Sequence, residues 1–96
     1  MDKEPVVFVT VDRNSRGGRL LEQYSGGTVI VGDEEHLVFE CSEFSVEFPF
    51  AYLTLTPDSI GLNERDAEHR LMLPTAEVLW ALRLSRQKLP PGFKLK

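Results

Sequence analysis

The predicted fold depends on one stretch, LMLPTAEVLWALRL at residues 71–84. It begins as a short apolar strand, and Pro74 separates that strand from a segment with helical features. Thr75 fits an N-cap, and Glu77 lies in the first turn, where the helix dipole favours an acid. The run Leu89-Pro90-Pro91-Gly92 would end such a helix. The sequence therefore predicts one C-terminal helix over residues 75–89.

Upstream of this helix, strand-like segments alternate with turns. Runs rich in β-branched and aromatic residues predict strands at 6–11, 28–31, 36–41 and 69–73. Gly26-Gly27 suits a tight hairpin between strands at 19–25 and 28–31, and 12–18 has the composition of a loop. A turn at 56–59, a returning strand at 59–63 and a charged loop at 63–68 are also expected, so 51–73 is predicted to form a three-stranded meander. From Phe44 to Phe50 apolar residues recur at every second position, and the apolar phase then shifts to Leu53. We therefore expect a break at Pro49, because Pro has no N–H for a ladder.

These elements predict an α+β fold, a mainly antiparallel sheet of six or seven short strands packed by the C-terminal helix. The phase shift near Pro49 is compatible with a curled or barrel-like sheet. The 96 residues are expected to form a single domain, in which 90–96 could be an extended C-terminal tail.

Bulk composition favours a soluble, cytoplasmic protein without a membrane partner. Hydrophobic residues make up 42% of the chain, and no apolar run approaches the roughly 20 residues that span a bilayer. The segment Met1-Asp2-Lys3-Glu4-Pro5 is too polar for a signal peptide. The single Cys41 permits no intramolecular disulfide and offers no thiolate cluster for zinc.

Charge is distributed unevenly along the chain. The net charge is −4, yet residues 32–70 hold ten acidic and two basic residues, and 71–96 hold one acidic and five basic residues. Such asymmetry indicates either a basic face for a polyanion or two oppositely charged faces that attract within or between subunits. We favour the second interpretation, because the acidic total weakens association through phosphates. The acidic middle could also imitate nucleic acid towards a basic partner.

Trp80 and Leu84 would point away from the core face of the predicted helix, as an i,i+4 pair. Trp is enriched at interface hot spots, so Trp80, Leu84 and the tail residue Phe93 are predicted to contact a protein partner, with a homodimer expected first. The alternative is that strand one, the 13–25 loop or the tail at Phe93 covers this pair.

A second hypothesis is single-stranded nucleic-acid binding. Six basic residues could line one groove, three from the 13–19 loop and three from the end of the predicted helix: Arg13, Arg16, Arg19, Arg83, Arg86 and Lys88. The stretch HRLMLPTAEVLWALR at 69–83 resembles the closing strand and helix of PC4-type transcriptional coactivator domains. That resemblance implies a four-stranded sheet followed by a helix, dimerisation and single-stranded DNA binding. The acidic residues of the strands depart from that family, which is basic there.

Signals for catalysis or metal binding are weak. Two acidic loops end in a histidine, at 33–36 and 64–69, but their spacing matches no metal motif. There is no phosphate-binding glycine loop and no nucleophile elbow, and Cys41 lies in a predicted strand where a buried, inert thiol is expected. We therefore predict no catalytic residue, metal, cofactor or small-molecule substrate. The expected function is a small non-catalytic binding or regulatory protein that acts through protein contacts.

Overall fold

An antiparallel sheet dominates the structure, a computed structural model that describes residues 6–56 and 69–95. The described residues form seven strands and one short α-helix, α1 (Arg16–Leu21). The strands are β1 (Val6–Val11), β2 (Gly27–Val31), β3 (Glu34–Glu47), β4 (Phe50–Leu55), β5 (Arg70–Pro74), β6 (Val78–Leu84) and β7 (Phe93–Leu95). The predictions of a mainly antiparallel sheet and of six or seven strands are confirmed for this part of the chain.

The long strand β3 organises the sheet. One side of β3 pairs with β1, and the other side pairs first with β2 and then with β4. The main strand order is β5-β4-β3-β1-β6, with β7 attached to β2, so the sheet is open and does not close into the barrel-like form considered above. A bulge between Cys41 and Glu43 changes which β3 residues face the core.

Both faces of the sheet are packed. The larger core lies on one face, where β1, β3, β4 and β5 contribute apolar side chains and Leu21 and Tyr24, from α1 and the turn after it, pack over them. The smaller core lies on the other face and is built on Phe8, Val29 and Val38. Five partly buried residues pack against it: Val6, Trp80, Leu89, Phe93 and Leu95. The tail after β6 therefore covers the second face.

The predicted C-terminal helix over residues 75–89 is wrong. Residues 75–77 form one 3₁₀ turn, 78–84 form β6, and 86–88 form a second 3₁₀ turn. β6 pairs along its length with β1, where Ala81 lies opposite Val9 and Trp80 opposite Thr10. Ala81 packs on the larger core and Trp80 on the smaller one, so each face of β6 packs partly against a core.

The helix lies instead at Arg16–Leu21, where 12–18 was predicted to be a loop and 19–25 a strand. Ser15 caps α1 by accepting a hydrogen bond from the Gly18 N–H at 2.9 Å. Side-chain atoms of Glu77 lie so close to Gly17 that a Cβ there would clash, and the carbonyl of Asp12 does the same at Gly18. Gly17 and Gly18 thus allow α1 to approach its neighbours closely.

Two turn predictions had different outcomes. Gly26-Gly27 does not form a hairpin, because the Gly26 N–H donates to the Val38 carbonyl at 2.7 Å and Gly27 begins β2. The hairpin turn is Gly32-Asp33, where Gly32 has φ +65°. The break at Pro49 is confirmed, since β3 ends at Glu47 and β4 begins at Phe50.

Part of the predicted meander lies outside the described residues, and part of the predicted tail forms a strand. The predicted turn and strand in 57–63, the charged loop and most of the acidic loop 64–69 lie outside them. The predicted strand at 69–73 is confirmed as β5. The tail residues 93–95 form β7, which pairs with β2. The described helices are all too short and too polar to cross a bilayer.

Candidate functional site

A three-stranded arm extends from the sheet where β1 ends and β3 continues. We define the arm as Glu43–Glu47 of β3 together with β4 and β5. Val7 is the β1 residue opposite Cys41, so the arm portion of β3 pairs with β4 and has no partner on the β1 side among the described strands. The inner face of the arm packs on the larger core through Ala51, Leu53 and Leu73, which are all at most 1% exposed.

Directly opposite residues share a face in an antiparallel sheet, so the register gives the outer face of the arm. Three rows cross the strands: Glu43–Thr54–Arg70, Ser45–Tyr52–Met72 and Glu47–Phe50–Pro74. Acidic side chains lie along β3, Phe50 and Tyr52 lie along β4, and Arg70 and Met72 lie along β5. Met72 is 56% exposed and Phe50 is 37% exposed, so this face displays apolar surface beside charges.

Two overlapping clefts follow these rows. The larger has a volume of about 320 Å³ and is lined by Glu43, Phe44, Ser45, Tyr52, Thr54, Arg70 and Arg83. The second, of about 310 Å³, shares Ser45, Tyr52 and Arg70 with it and adds Glu47. Arg83 comes from β6, beside Val7 at the beginning of β1. We call the larger one the arginine cleft.

The groups in these clefts can bind a ligand. A guanidinium presents a fork of N–H donors that matches a carboxylate, and the hydroxyls of Ser45, Thr54 and Tyr52 can donate or accept. Neither histidine of the described residues lines either cleft, and Cys41 does not either.

The predicted interface residues do not form one patch. Trp80 lies on β6 and packs against the smaller core, and Phe93 packs against the same core from β7. Leu84, at the end of β6, is opposite Val6 and only half-buried. Strand one and the tail at Phe93 thus supply part of the cover for Trp80, as the alternative interpretation expected. The contact of these residues with a partner stays a prediction.

The six predicted nucleic-acid contacts are divided between the two ends of β1. Arg83 lies opposite Val7 at the start of β1, and Arg86 and Lys88 follow β6 at the same end. Arg13 and the helix α1 follow Val11, at the other end of β1. A strand of this length spans roughly 17–20 Å, so the structure does not bring the groups into one groove. The segment that was predicted to be a helix carrying three of them forms strand β6 and a 3₁₀ turn.

Two of these six residues form ion pairs. Arg86 binds Glu40 through two hydrogen bonds of 2.7 Å each. Arg13 donates to Glu22 at 3.2 Å and to Glu35. Arg16, Arg19 and Lys88 are exposed on α1 and on the turn at 86–88. Nucleic-acid contact by this set stays a prediction.

The two histidines of the predicted acidic loops lie apart. His36 is close to Glu34, with Nε2 3.2 Å from Oε1, and its Nδ1 lies 3.9 Å from the Asp12 carboxylate. His69 packs its ring 6.1 Å from that of Tyr24, and its carbonyl accepts from Leu55 N–H at the far end of β4. Within the described residues, no group of three or more metal-ligating side chains is assembled.

Cys41 is fully buried in the larger core. Burial raises the pKa of its thiol to about 12, and the neighbouring Glu40 carboxylate adds to the rise. The thiolate, which is the reactive form, is thus scarce at neutral pH. This agrees with the inert thiol that the sequence predicted.

We expect the native Cys41 thiol to resist modification. At about pH 8 a free thiol is roughly one-quarter ionised, whereas a pKa of about 12 leaves on the order of a thousandfold less thiolate. A time course with Ellman's reagent should show no fast phase in the native protein and complete reaction in guanidinium chloride. Rapid reaction of the folded protein would contradict this assignment.

The outer face of the arm was not predicted as a site. The sequence placed Tyr52 and Thr54 on one face of a strand and Leu53 on the other. The residues of β3 and β5 that lie beside Tyr52 and Thr54 depend on strand register, which the sequence did not give. The available signal was Tyr52 and three Phe residues interleaved with acidic residues in EFSVEFPFAY at 43–52.

No family model, curated protein sequence or solved structure matches the chain.

Proposed function

We propose that this protein is a small non-catalytic binding or regulatory protein that acts through protein contacts as a homodimer. The observation that carries the proposal is the outer edge of β6, which ends the strand order and has no paired neighbour among the described strands. An unpaired apolar edge is a template for pairing with another chain. β6 carries a single charged residue, Arg83, within VLWALRL.

The side chains along this edge favour a second copy as the occupant. Trp80, Leu82 and Leu84 share one face of β6 and are each only half-buried. The register shift between Thr10 and Val11 makes Leu79 a bulge, so a regular strand begins at Trp80. Antiparallel pairing around Leu82 would set Trp80 against the partner subunit's Leu84 and would extend both apolar faces. A symmetric interface of this kind is self-complementary.

The expected dimer is of modest affinity. A pair of five-residue strands buries less surface than a standard interface of about 1,600 Å², and interfaces at the low end of the size range are typical of weak or transient association. The outer face of the arm stays free in this arrangement, because edge pairing uses backbone groups. Binding of a further protein can therefore occur on the dimer.

Sedimentation velocity over a concentration series tests the dimer. We expect the wild-type protein to shift from monomer to dimer, and Leu82→Lys to stay monomeric, because two like charges would meet at the symmetry axis. Leu20→Lys is the matched control, since Leu20 is 76% exposed on α1 and should leave the dimer intact.

Circular dichroism of each variant checks that it is folded. A wild-type protein that stays monomeric at millimolar concentration would refute the homodimer. A folded Leu82→Lys variant that dimerises like the wild type would refute its assignment to β6, and Leu84→Lys provides an independent second variant at the same edge.

A further inference from the structure

The arginine cleft joins the two ends of the strand order. Arg70 lies on β5 and Arg83 on β6, and these are the first and last strands of the order β5-β4-β3-β1-β6. They reach one cleft because the arm portion of β3 continues past β1, so the space beside it is bordered by the end of β6. Two guanidinium groups therefore line a single concavity of about 320 Å³.

Neither arginine forms an ion pair within the described residues. By contrast, Arg13 and Arg86 each bind a carboxylate. Arg70 and Arg83 instead line a cleft with Tyr52 and the hydroxyls of Ser45 and Thr54. The Glu43 carboxylate also lines this cleft but forms no ion pair with either arginine. Both forks of donors are therefore suited to an oxyanion, which would accept charge-assisted hydrogen bonds.

The surrounding charges restrict the anion. Glu43 lies in the same row as Arg70, with Thr54 of β4 between them, so two strand spacings or about 9–10 Å separate their backbones. Glu47 lies further along β3. A chain of phosphates would lie against these acids, whereas one carboxylate can lie on the arginine side alone. The cleft is also open, unlike the enclosed pockets that bury most of a small ligand. Exposed Met72 and Phe50 lie in the neighbouring rows of the same face.

We propose that the arginine cleft receives the acidic side chain of an extended segment of a partner protein. This proposal takes the partner class from the proposed function. It uses the arginine cleft, to which β6 contributes Arg83, and not the outer edge of β6. Residues i and i+2 of an extended chain lie about 6.6–6.8 Å apart on one face, which equals the spacing between the rows of Arg70 and Met72. The partner segment therefore carries an acidic residue followed or preceded, two positions away, by an apolar residue that packs on Met72 and Tyr52.

Peptide titrations followed by NMR test this motif. The probe is the capped peptide Thr-Asp-Thr-Leu-Thr, added to isotope-labelled protein up to millimolar concentration. We expect shifts confined to the arm and to the Nε–H groups of Arg70 and Arg83. Replacing Asp by Asn in the peptide should weaken binding by about tenfold, because it removes a charge-assisted pair. Inserting one residue between Asp and Leu should also weaken it, because the two side chains would then point to opposite faces.

Variants of the protein provide the matching controls. Arg70→Gln and Arg83→Gln should each weaken binding about tenfold, whereas Arg16→Gln removes an exposed arginine elsewhere and should change nothing. Glu43→Gln should strengthen binding about twofold to threefold by removing a like charge, a gain that a merely damaged fold would not give.

Equal affinity for the Asp and Asn peptides would overturn the proposal, as would the absence of arm shifts at millimolar peptide. The monomeric Leu82→Lys variant should bind the peptide as the wild type does. The homodimer can thus fail while the cleft binds, and the cleft can fail while the dimer forms.

Discussion

Trp80→Ala is expected to lower the free energy of unfolding by about 3 kcal/mol, because it removes a large side chain that packs against a core. Trp80 lies with Leu89, Phe93 and Leu95 against Phe8, which has no exposed surface. Truncation would leave a cavity between β6 and the tail. Guanidinium denaturation measures the change, and an unaltered m-value would show that the unfolded state is the same.

The matched control is Leu79→Ala, on the same strand. Leu79 is the bulged residue of β6 and is 39% exposed, so its truncation should cost less than about 1 kcal/mol. Both variants are best compared in the monomeric Leu82→Lys background, where dissociation of a dimer cannot add to the measured stability. Equal effects of the two truncations would contradict the placement of Trp80 in the smaller core.

This result also separates two roles for Trp80. An anchor that contacts only a partner would change the dimer constant and leave monomer stability unaltered. The structure packs Trp80 against the protein's own core, yet its face is only half-buried, so both quantities should fall. Sequence reasoning identified this residue as unusual but attributed it to a helix surface.

The error over residues 75–89 has a physical cause. A near-continuous apolar run such as VLWALRL is typical of a strand buried on both faces, and periodicity alone does not distinguish that from a helix. After Val78 the run lacks β-branched residues, so local propensity also favoured a helix. Pairing with β1 overrides that preference. In this pairing Ala81 lies beside Val9 on one face of the sheet, and Leu82 lies beside Phe8 on the other. Nothing in the local sequence contains that information.

The helix α1 was missed for the opposite reason. Arg16-Gly17-Gly18-Arg19 contains two residues that disfavour a helix interior, so a loop was expected. The Gly17 N–H donates to the Glu77 carboxylate at 3.0 Å, sixty positions along the chain. Because Gly17 has no side chain, the helix can approach Leu73 of β5 and Glu77 of the following turn. A contact at that separation was not visible in the composition of the segment.

The sequence did locate the break at Pro49 and the two faces of β4, because a two-residue period and a missing N–H are local properties. The arm site was not accessible in the same way. It needs the register that sets Tyr52 between Ser45 and Met72, and it needs the bulge after Cys41 that changes the face of β3. Arg83 joins the site only through the pairing of β6 with β1.

Arg86→Ala is expected to lower the free energy of unfolding by about 2 kcal/mol, because it leaves a buried carboxylate without its guanidinium. Glu40 lies opposite Phe8 on the smaller-core face and is only 4% exposed. Arg86, in the turn after β6, donates one hydrogen bond to each of the two Glu40 carboxylate oxygens. About half of the Arg86 side chain is exposed, which keeps the expected loss below that of a fully buried pair. Chemical denaturation measures it.

Three further variants determine whether the pair itself is responsible. Lys88→Ala removes a neighbouring exposed cation and should cost less than about 0.5 kcal/mol. Arg86→Lys keeps the charge but not the two-fold hydrogen bonding, so its stability should fall between those of Arg86→Ala and the wild type. Glu40→Leu combined with Arg86→Leu removes both charges, and should restore much of the loss, because no unpaired carboxylate is left in the core. A double variant as unstable as Arg86→Ala would show that the unpaired Glu40 carboxylate is not the cause of the loss.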